Sequence, residues 1–223
     1  MDDDANTVQQ RGWMVERQLV PRGIRDERVL AAMRSVPRHA FVAASLRGDA
    51  YDDTPLPIEE GQTISQPYIV ALMLEAARLA ATDRMLEVGA GSGYASAVAA
   101  GLVAHVDAVE RHRRLVELAR ARLARLGVDN VDVHVGDGSA GWPSGAPYDA
   151  IVVAASGPRV PDALREQLAA GGRLVMPVAS GGVAQRLVLV ERRGDDGWHE
   201  EDLGGVMFVP LVGTHGWPEH GER

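Results

Sequence analysis

The stretch LEVGAGSGY, Leu86 to Tyr94, joins the end of an apolar run to three glycines spaced two residues apart. Glycine accepts backbone conformations with positive φ and lets a ligand approach the main chain closely. A helix that follows such a turn presents free N–H groups at its N-terminus, where ligand oxygens bind readily. The stretch therefore predicts a strand, a ligand-binding turn and a helix in succession.

The chain after this stretch predicts a doubly wound α/β fold. Short runs rich in Val, Ile and Leu alternate with helix-like segments, which is typical of a mostly parallel sheet covered on both faces. The further strands predicted for this sheet are HVDAVE, VDVHV, DAIVVA and RLVMPV, and a helix is predicted from Pro161, between the last two of them.

The last two predicted strands form a C-terminal antiparallel hairpin. They are RLVLVERR and the run through Val206, Phe208 and Val209, and only Gly194–Gly197 separates them. A parallel return would need a longer crossover connection.

Before the glycine turn, the sequence predicts an N-terminal helical addition and a long ordered loop. Two segments with helical spacing are separated by Pro21 and Gly23, and Pro37 ends the second. Asp, Pro and Gly are closely spaced from Tyr51 to Pro67, and loops of this length inside compact domains are often functional.

Length and composition predict a single domain. A chain of 223 residues with 46% hydrophobic residues can bury most of its apolar surface around one core. We predict a helical cap and loop over 1–60, a cofactor-binding and catalytic core over 61–212, and a tail over 213–223.

Composition also excludes several functions. The chain has no cysteine, which rules out a thiolate nucleophile, a disulfide framework and a zinc–thiolate site. A net charge of -8 argues against a nucleic-acid-binding surface. The acidic start MDDDANT lacks the features of a signal peptide, and the histidines lack the spacing of a helical metal site. We predict a cytoplasmic monomer without metal.

Three carboxylates stand at successive strand ends, namely Glu87, Glu110 and Asp137. Ligands of open parallel sheets bind outside the carboxyl ends of the strands, so we expect these side chains to converge on one crevice. A single carboxylate there is usually a cap or solvated, but three beside a glycine turn fit a ligand with an ammonium, a ribose and an adenine amine. We therefore predict S-adenosylmethionine as the cofactor.

A nicotinamide dehydrogenase is disfavoured by Tyr94. This residue occupies the sixth position of the dinucleotide fingerprint, where Gly or Ala is expected.

Seven segments carry a resemblance to a known family. They are GQTISQPYIV, LEVGAGSGY, VERH, GDG, PYDAIVVAA, GGRLVMPV and FVPLV, in this order. In order and separation they resemble the protein-L-isoaspartate O-methyltransferase family, from about Arg11 to Val212. The resemblance implies an S-adenosylmethionine-dependent methyltransferase fold that acts on isoaspartyl residues of damaged proteins.

The resemblance also implies roles for individual residues. The glycine turn would hold the methionine end of the cofactor, Glu110 the ribose, and Asp137 with Gly138 the adenine. Ser65 would supply the catalytic hydroxyl, and Ile64, Ser65, Val209 and Pro210 would line the peptide site. The full set predicted to bind the cofactor is Gln62, Thr63, Ile64, Glu87, Gly89, Ala90, Gly91, Ser92, Gly93, Glu110, Arg111, Asp137 and Gly138. The chain departs from the family mainly at its ends, MDDDANT and GTHGWPEHGER, which we expect not to touch these motifs.

Ser65 has two interpretations. On the residues alone it caps the helix that begins near Pro67 and Tyr68, whereas the resemblance favours catalysis. A substrate carboxyl group, with an ordinary pKa of roughly 4, is already ionised at neutral pH and needs no general base. A neutral hydroxyl could orient it without the charge of a Lys or Arg.

Two alternatives to repair of isoaspartyl residues remain open at this point. The first keeps the methyl transfer but uses an ordinary aspartate of one dedicated peptide as the acceptor. The second is a cofactor-binding interaction module without activity, against which the retained Ser65, Glu87, Glu110 and glycines argue.

Overall fold

A seven-stranded sheet forms the centre of the protein in a computed structural model that describes residues 4–180, 184–194 and 197–219. Its strand order is β5-β4-β3-β6-β7-β8-β9, and a separate two-stranded sheet pairs β1 with β2. The strands are β1 Leu56–Pro57, β2 Thr63–Ile64, β3 Arg84–Val88, β4 His105–Glu110, β5 Val131–Val135, β6 Tyr148–Val153, β7 Leu168–Ala179, β8 Gln185–Arg193 and β9 Gly197–Val206.

The pairing confirms the predicted fold class. Strands β3 to β7 pair in parallel, whereas β8 pairs antiparallel with both β7 and β9. The chain moves outward from β3 in one direction to β5 and then returns to β6 on the other side of β3. This switch point opens a crevice at the carboxyl ends of the strands.

Six α-helices accompany the sheet in the described residues. They are α1 Ala5–Met14, α2 Glu27–Ser35, α3 Pro67–Ala76, α4 Tyr94–Ala100, α5 Arg113–Arg125 and α6 Asp162–Arg165. Asp4 and Asp26 cap α1 and α2, because their carboxylates accept hydrogen bonds from backbone N–H groups of the first turn. Between α1 and α2, a short 3₁₀ turn ends at Gly23 with φ 103°. The predicted N-terminal helical addition is therefore present.

Two sequence predictions differ from the structure in detail. The helix predicted from Pro161 is a single turn, because the backbone of Gln167 already accepts a hydrogen bond from Tyr148 N–H at 2.8 Å and β7 follows at once. The last strand ends at Val206, so Phe208 and Val209 lie outside it, and Val209 instead pairs its carbonyl with Ser156 N–H at 2.8 Å.

The apolar residues form packed clusters on both faces of the sheet. The larger cluster joins α1 to α5 with one sheet face and includes Phe41 and Tyr94, which meet edge to face at 5.5 Å. The smaller one lies between the other face and α6, around Leu164 and Met176. The helical addition is thus packed into the main core.

Candidate active site

Three glycines shape the turn between β3 and α4. Gly89, Gly91 and Gly93 have φ angles of 89°, 52° and 88°, in the left-handed region that other residues rarely adopt. The carbonyl of Val109 accepts hydrogen bonds from the N–H groups of Gly89 at 2.8 Å and Ala90 at 3.2 Å. The turn predicted from the sequence is present, and its backbone requires glycine.

Glu110, the last residue of β4, braces this turn. Its carboxylate oxygens accept hydrogen bonds from the N–H groups of Gly91 at 3.0 Å and His112 at 2.9 Å. The side chain is buried but borders the cavity described below. A carboxylate fixed at this strand end is suited to bind ligand hydroxyl groups.

Glu87 lies beneath the turn, 1% exposed. The hydroxyl of Ser96, in α4, donates a hydrogen bond to its carboxylate. Burial raises the pKa of Glu87 to about 8, with a further rise from the charge of Glu110 and an opposing effect of the Ser96 hydrogen bond. The buried carboxyl group therefore favours a cation as its neighbour, since a positive charge would stabilise its ionised form.

Asp137 departs from the predicted convergence. Its carboxylate accepts hydrogen bonds from Ser139 N–H at 2.9 Å, Ser139 Oγ at 2.6 Å and Thr214 N–H at 2.7 Å. Burial would raise the pKa of Asp137, but these hydrogen bonds outweigh it and lower the pKa. Glu87, Glu110 and Gly138 line the cavity, whereas Asp137 does not. Asp137 therefore does not line the cavity with the other two carboxylates, and its role beside the adenine stays a prediction.

The C-terminal segment also contradicts the expectation that the chain ends leave the motifs untouched. Besides the bond from Thr214 to Asp137, His215 N–H donates to Ser139 Oγ at 2.9 Å. Glu219 forms an ion pair with Arg111. The four final residues and the first three lie outside the described part of the chain.

A cavity of about 1190 Å³ opens beside the turn. It exceeds the roughly 300–1,000 Å³ of ordinary small-molecule sites, so it has room for a cofactor and an acceptor together. The cavity is lined by most of the predicted site residues, namely Gln62, Thr63, Ile64, Ser65, Glu87, Gly89, Ala90, Gly91, Ser92, Glu110, Arg111, Gly138, Val209 and Pro210. Gly93 and Asp137 are not among the lining residues.

The cavity has two sides. We call residues 87–94 with Glu110 the cofactor side, and residues 62–68 with 203–211 the acceptor side. The acceptor side includes apolar residues that sequence reasoning missed, among them Tyr68, Leu203, Met207 and Phe208. Met207 is 90% exposed. An apolar residue at the end of the last strand was the sequence signal that could have identified Met207 as part of the site.

Ser65 lies between β2 and α3, half-buried, on the acceptor side. Gln66, not Ser65, is the N-cap residue of α3, and it makes no side-chain capping bond. Asp53 takes that role from the preceding loop, because its Oδ1 accepts a hydrogen bond from Tyr68 N–H at 3.0 Å. The capping interpretation of Ser65 is therefore wrong.

Asp53 also fixes the segment that carries Ser65. Gln66 Nε2 donates hydrogen bonds to the carbonyl and to Oδ2 of Asp53 at 2.9 and 2.7 Å, and Arg22 forms an ion pair with the same carboxylate. The loop rich in Asp and Pro, predicted to be ordered, thus supports the acceptor side directly.

One further group of ionisable side chains lies near the opposite strand ends. Within the described ranges, His105, Asp107 and Asp132 form the only cluster of three potential metal ligands. His105 Nε2 is 3.7 Å from Asp107 and 3.6 Å from Asp132. Asp107 is already bonded to Arg84 at 3.1 Å and His134 at 2.9 Å. Protein groups compensate its charge, so we assign no metal to this cluster.

The parallel sheet, the glycine turn at its switch point and the buried carboxylate beneath that turn define an S-adenosylmethionine-dependent methyltransferase. The family model for protein-L-isoaspartate(D-aspartate) O-methyltransferase matches residues 10–216. The chain therefore belongs to the protein-L-isoaspartate O-methyltransferase family, and S-adenosylmethionine is its cofactor.

Relatives agree over almost the whole chain. A protein-L-isoaspartate O-methyltransferase 1 of Rhodopseudomonas palustris strain HaA2 is 56% identical over 97% of this chain and 88% of its own length. A protein-L-isoaspartate O-methyltransferase of Methylorubrum extorquens strain PA1 is 58% identical over 91% of this chain and 88% of its own length.

Solved structures agree with the fold. A protein-L-isoaspartate O-methyltransferase matches with a TM-score of 0.83 at 30% identity, covering 94% of this chain and 67% of that one. A putative member from Plasmodium falciparum, in complex with S-adenosyl-L-homocysteine, matches with a TM-score of 0.78 at 28% identity, over 91% of this chain and 98% of that one. The residues described here include no helix with the length and apolar character needed to cross a bilayer.

Proposed function

We propose that the chain methylates the free α-carboxylate of L-isoaspartyl residues in damaged proteins or peptides. The observation that carries this proposal is the cavity, in which the Ser65 segment faces the glycine turn. Membership of the family names the acceptor class. The methyl ester would close to a succinimide more readily than the free acid, and hydrolysis of the succinimide would return some normal aspartate.

The residues of the cofactor side fit the proposed ligand. The positive φ angles at the glycine turn allow close approach of the main chain, and the buried carboxylate of Glu87 suits an ammonium group. Glu110 is placed for ribose hydroxyl groups. When bound, the cofactor supplies a methyl group on a positively charged sulfur.

The acceptor side needs to orient an anion without removing a proton. A carboxylate with an ordinary pKa of roughly 4 attacks as it stands, so Ser65 is proposed to donate a hydrogen bond to one of its oxygens. A Lys or Arg there would hold the carboxylate with a full charge and oppose its attack. The side chains of Ile64, Leu203 and Phe208 line the same cavity and would exclude water from a reaction in which opposite charges cancel.

We also propose the finer features predicted from the sequence. The chain acts as one domain and as a monomer in the cytoplasm, and its net charge of -8 does not favour nucleic acid as a partner. Size-exclusion chromatography with light scattering at working concentrations would test the monomer directly.

Paired peptides that differ only in Asp or isoAsp test the proposal. Incubation with S-adenosylmethionine, read by mass, should add one methyl group to the isoAsp peptide and none to the Asp peptide. Preference for the Asp peptide would instead indicate a dedicated aspartyl acceptor. Methylation of neither peptide, together with measurable S-adenosylhomocysteine binding, would indicate an inactive cofactor-binding module.

A further inference from the structure

Arg38 is the largest fully buried side chain of the described residues. It opens a short 3₁₀ turn, residues 38–41, in the N-terminal addition. Placing a guanidinium group in the interior costs free energy unless its N–H groups find partners. The partners of its N–H groups therefore show which parts of the chain Arg38 holds in place.

Arg38 donates hydrogen bonds to three backbone carbonyls near the acceptor side. Its Nε donates to Ala50 at 2.8 Å, Nη1 to Ser65 at 2.8 Å and Nη2 to Thr54 at 3.2 Å. One side chain thus spans the loop that precedes β1 and the residue proposed to orient the substrate.

The carbonyl of Ser65 is the decisive contact. Ser65 follows the last residue of β2 and precedes the N-cap of α3, so neither element holds its carbonyl in a regular ladder. The bond from Arg38 fixes the peptide plane after Ser65, and with it the direction in which the Ser65 side chain leaves the backbone. Without that bond the hydroxyl could rotate away from the cavity while the rest of the fold persisted.

Arg38 also contacts the cofactor side. Its Cζ lies 5.2 Å from the ring centroid of Tyr94, the first residue of α4 directly after the glycine turn. This distance permits a cation–π interaction. The same guanidinium therefore sets the acceptor segment against the helix that follows the cofactor turn.

We propose that Arg38 is a positioning residue, which acts on methyl transfer through Ser65. The inference rests on the proposed function, because Ser65 has a catalytic role only there. Lysine cannot replace this arginine, since a single ammonium group does not reproduce three N–H donors held in a planar fork.

Arg28 provides a matched control. It also extends from the N-terminal addition and donates to two backbone carbonyls, those of Leu79 at 2.6 Å and of Leu102. Neither carbonyl belongs to a residue that lines the cavity. Arg28→Lys therefore removes backbone contacts of the same kind, from an exposed side chain, without touching the site.

The experiment compares Arg38→Lys, Arg28→Lys, Ser65→Ala and the Arg38→Lys/Ser65→Ala double variant. For each variant we would measure kcat on an isoaspartyl peptide, Kd for S-adenosylhomocysteine by calorimetry, and Tm. Arg38→Lys should lower kcat about tenfold or more, since a misplacement of about 1 Å can cost roughly a hundredfold. Its Kd should stay within about twofold of wild type, and Arg28→Lys should lower Tm but leave kcat within about twofold.

The double variant distinguishes positioning of Ser65 by Arg38 from general support of the fold. If Arg38 acts through Ser65, its effect on kcat should fall to about twofold or less once Ser65 is alanine. Equal losses in both backgrounds, or wild-type kcat in Arg38→Lys, would overturn the inference.

A second variant at Arg38 is the control for loss of folding, and the wild type is the control for the proposed function. Arg38→Gln keeps two N–H donors and is measured in the same way if the Lys variant does not fold. Failure of both while Arg28→Lys folds would make Arg38 a purely structural residue and overturn the inference. A wild type without activity on the isoaspartyl peptide would reject the proposed function itself, whereas an active wild type with additive losses would reject only the role of Arg38.

Discussion

The two sides of the cavity are built in opposite ways. The cofactor side comes mainly from one continuous strand, turn and helix, braced by contacts such as Ser96 to Glu87. The acceptor side is joined from distant parts of the chain, with Ser65 held by Arg38 and its neighbours by Asp53. The cofactor side is therefore a local property of the sequence, whereas the acceptor side depends on tertiary contacts.

The largest expected effect comes from breaking the local side. Gly89→Val places a β-branched residue at φ 89°, a conformation that costs about 1–3 kcal/mol. Relief of that strain moves the N–H groups of the turn. Calorimetry should show S-adenosylhomocysteine binding weakened about a hundredfold or more, equivalent to about 2.8 kcal/mol.

Gly127→Val is the matched control for backbone strain. Gly127 has φ 69°, and a Cβ there would meet no atom within 4 Å. It does not line the cavity. The control should lose a similar amount of stability and keep wild-type binding. Equal loss of binding in both variants would show that strain anywhere in the fold is enough, and that the turn has no special role.

The next largest effect is expected from a substitution on the acceptor side. Ser65→Ala should lower kcat/KM on an isoaspartyl peptide by about tenfold to a hundredfold, because the substrate carboxylate loses its orienting donor. Kd for S-adenosylhomocysteine should not change. Ser35→Ala, which removes a hydroxyl bonded within α2 to Ala32, should keep wild-type kinetics. Wild-type kcat/KM in Ser65→Ala would exclude the proposed role.

The same contrast explains what the sequence could predict. The glycine turn and the succession of strands and helices along the chain follow from local pattern, since glycine spacing and apolar periodicity indicate them segment by segment. Ser65 could be located through the motif that contains it, but its interpretation as a cap could not be tested without Asp53, 12 positions earlier in the chain. A helix cap supplied from another loop leaves no local signal.

Asp137 shows the same limit from the other direction. Its position at a strand end predicted convergence with Glu87 and Glu110, yet Asp137 does not line the cavity and its carboxylate accepts a hydrogen bond from Thr214 N–H. This contact joins residues 77 positions apart and depends on how the C-terminal segment folds back. Local pattern identifies which residues reach the edge of the sheet, but it does not determine which of them face the cavity.

A pH effect of intermediate size tests the role of Glu87 on the cofactor side. Burial raises the pKa of Glu87 from 4.5 to about 8, so the folded protein without ligand holds this proton at neutral pH. A ligand ammonium beside Glu87 would expel the proton, and binding should tighten as pH rises. Between pH of about 6 and 7.5, Kd for S-adenosylhomocysteine should fall by about three- to tenfold per unit.

Stability without ligand should change in the opposite direction. The unfolded chain releases this proton near pH 4.5 and the folded chain near 8, so the contribution of Glu87 to stability declines as pH rises between those values. Glu87→Gln should remove both slopes, whereas Glu117→Gln on α5 should keep them. A Glu87→Gln variant with the wild-type slope in Kd would assign the effect to another group.

The smallest expected effect lies at the edge of the acceptor side, at Met207. Its side chain is 90% exposed yet borders the cavity, so it is placed to cover an apolar residue next to the isoaspartyl linkage. Met207→Ser should raise KM about threefold for peptides with an apolar neighbour, a loss of about 0.7 kcal/mol of binding free energy. KM for peptides with polar neighbours, Tm and cofactor Kd should not change.

Val8→Ser is the control. It alters an apolar residue of α1 that is 48% exposed and lies outside the cavity, and it should leave KM unchanged for both peptide classes. An equal rise in KM for both classes would mean that Met207 supports the shape of the cavity instead of selecting the substrate.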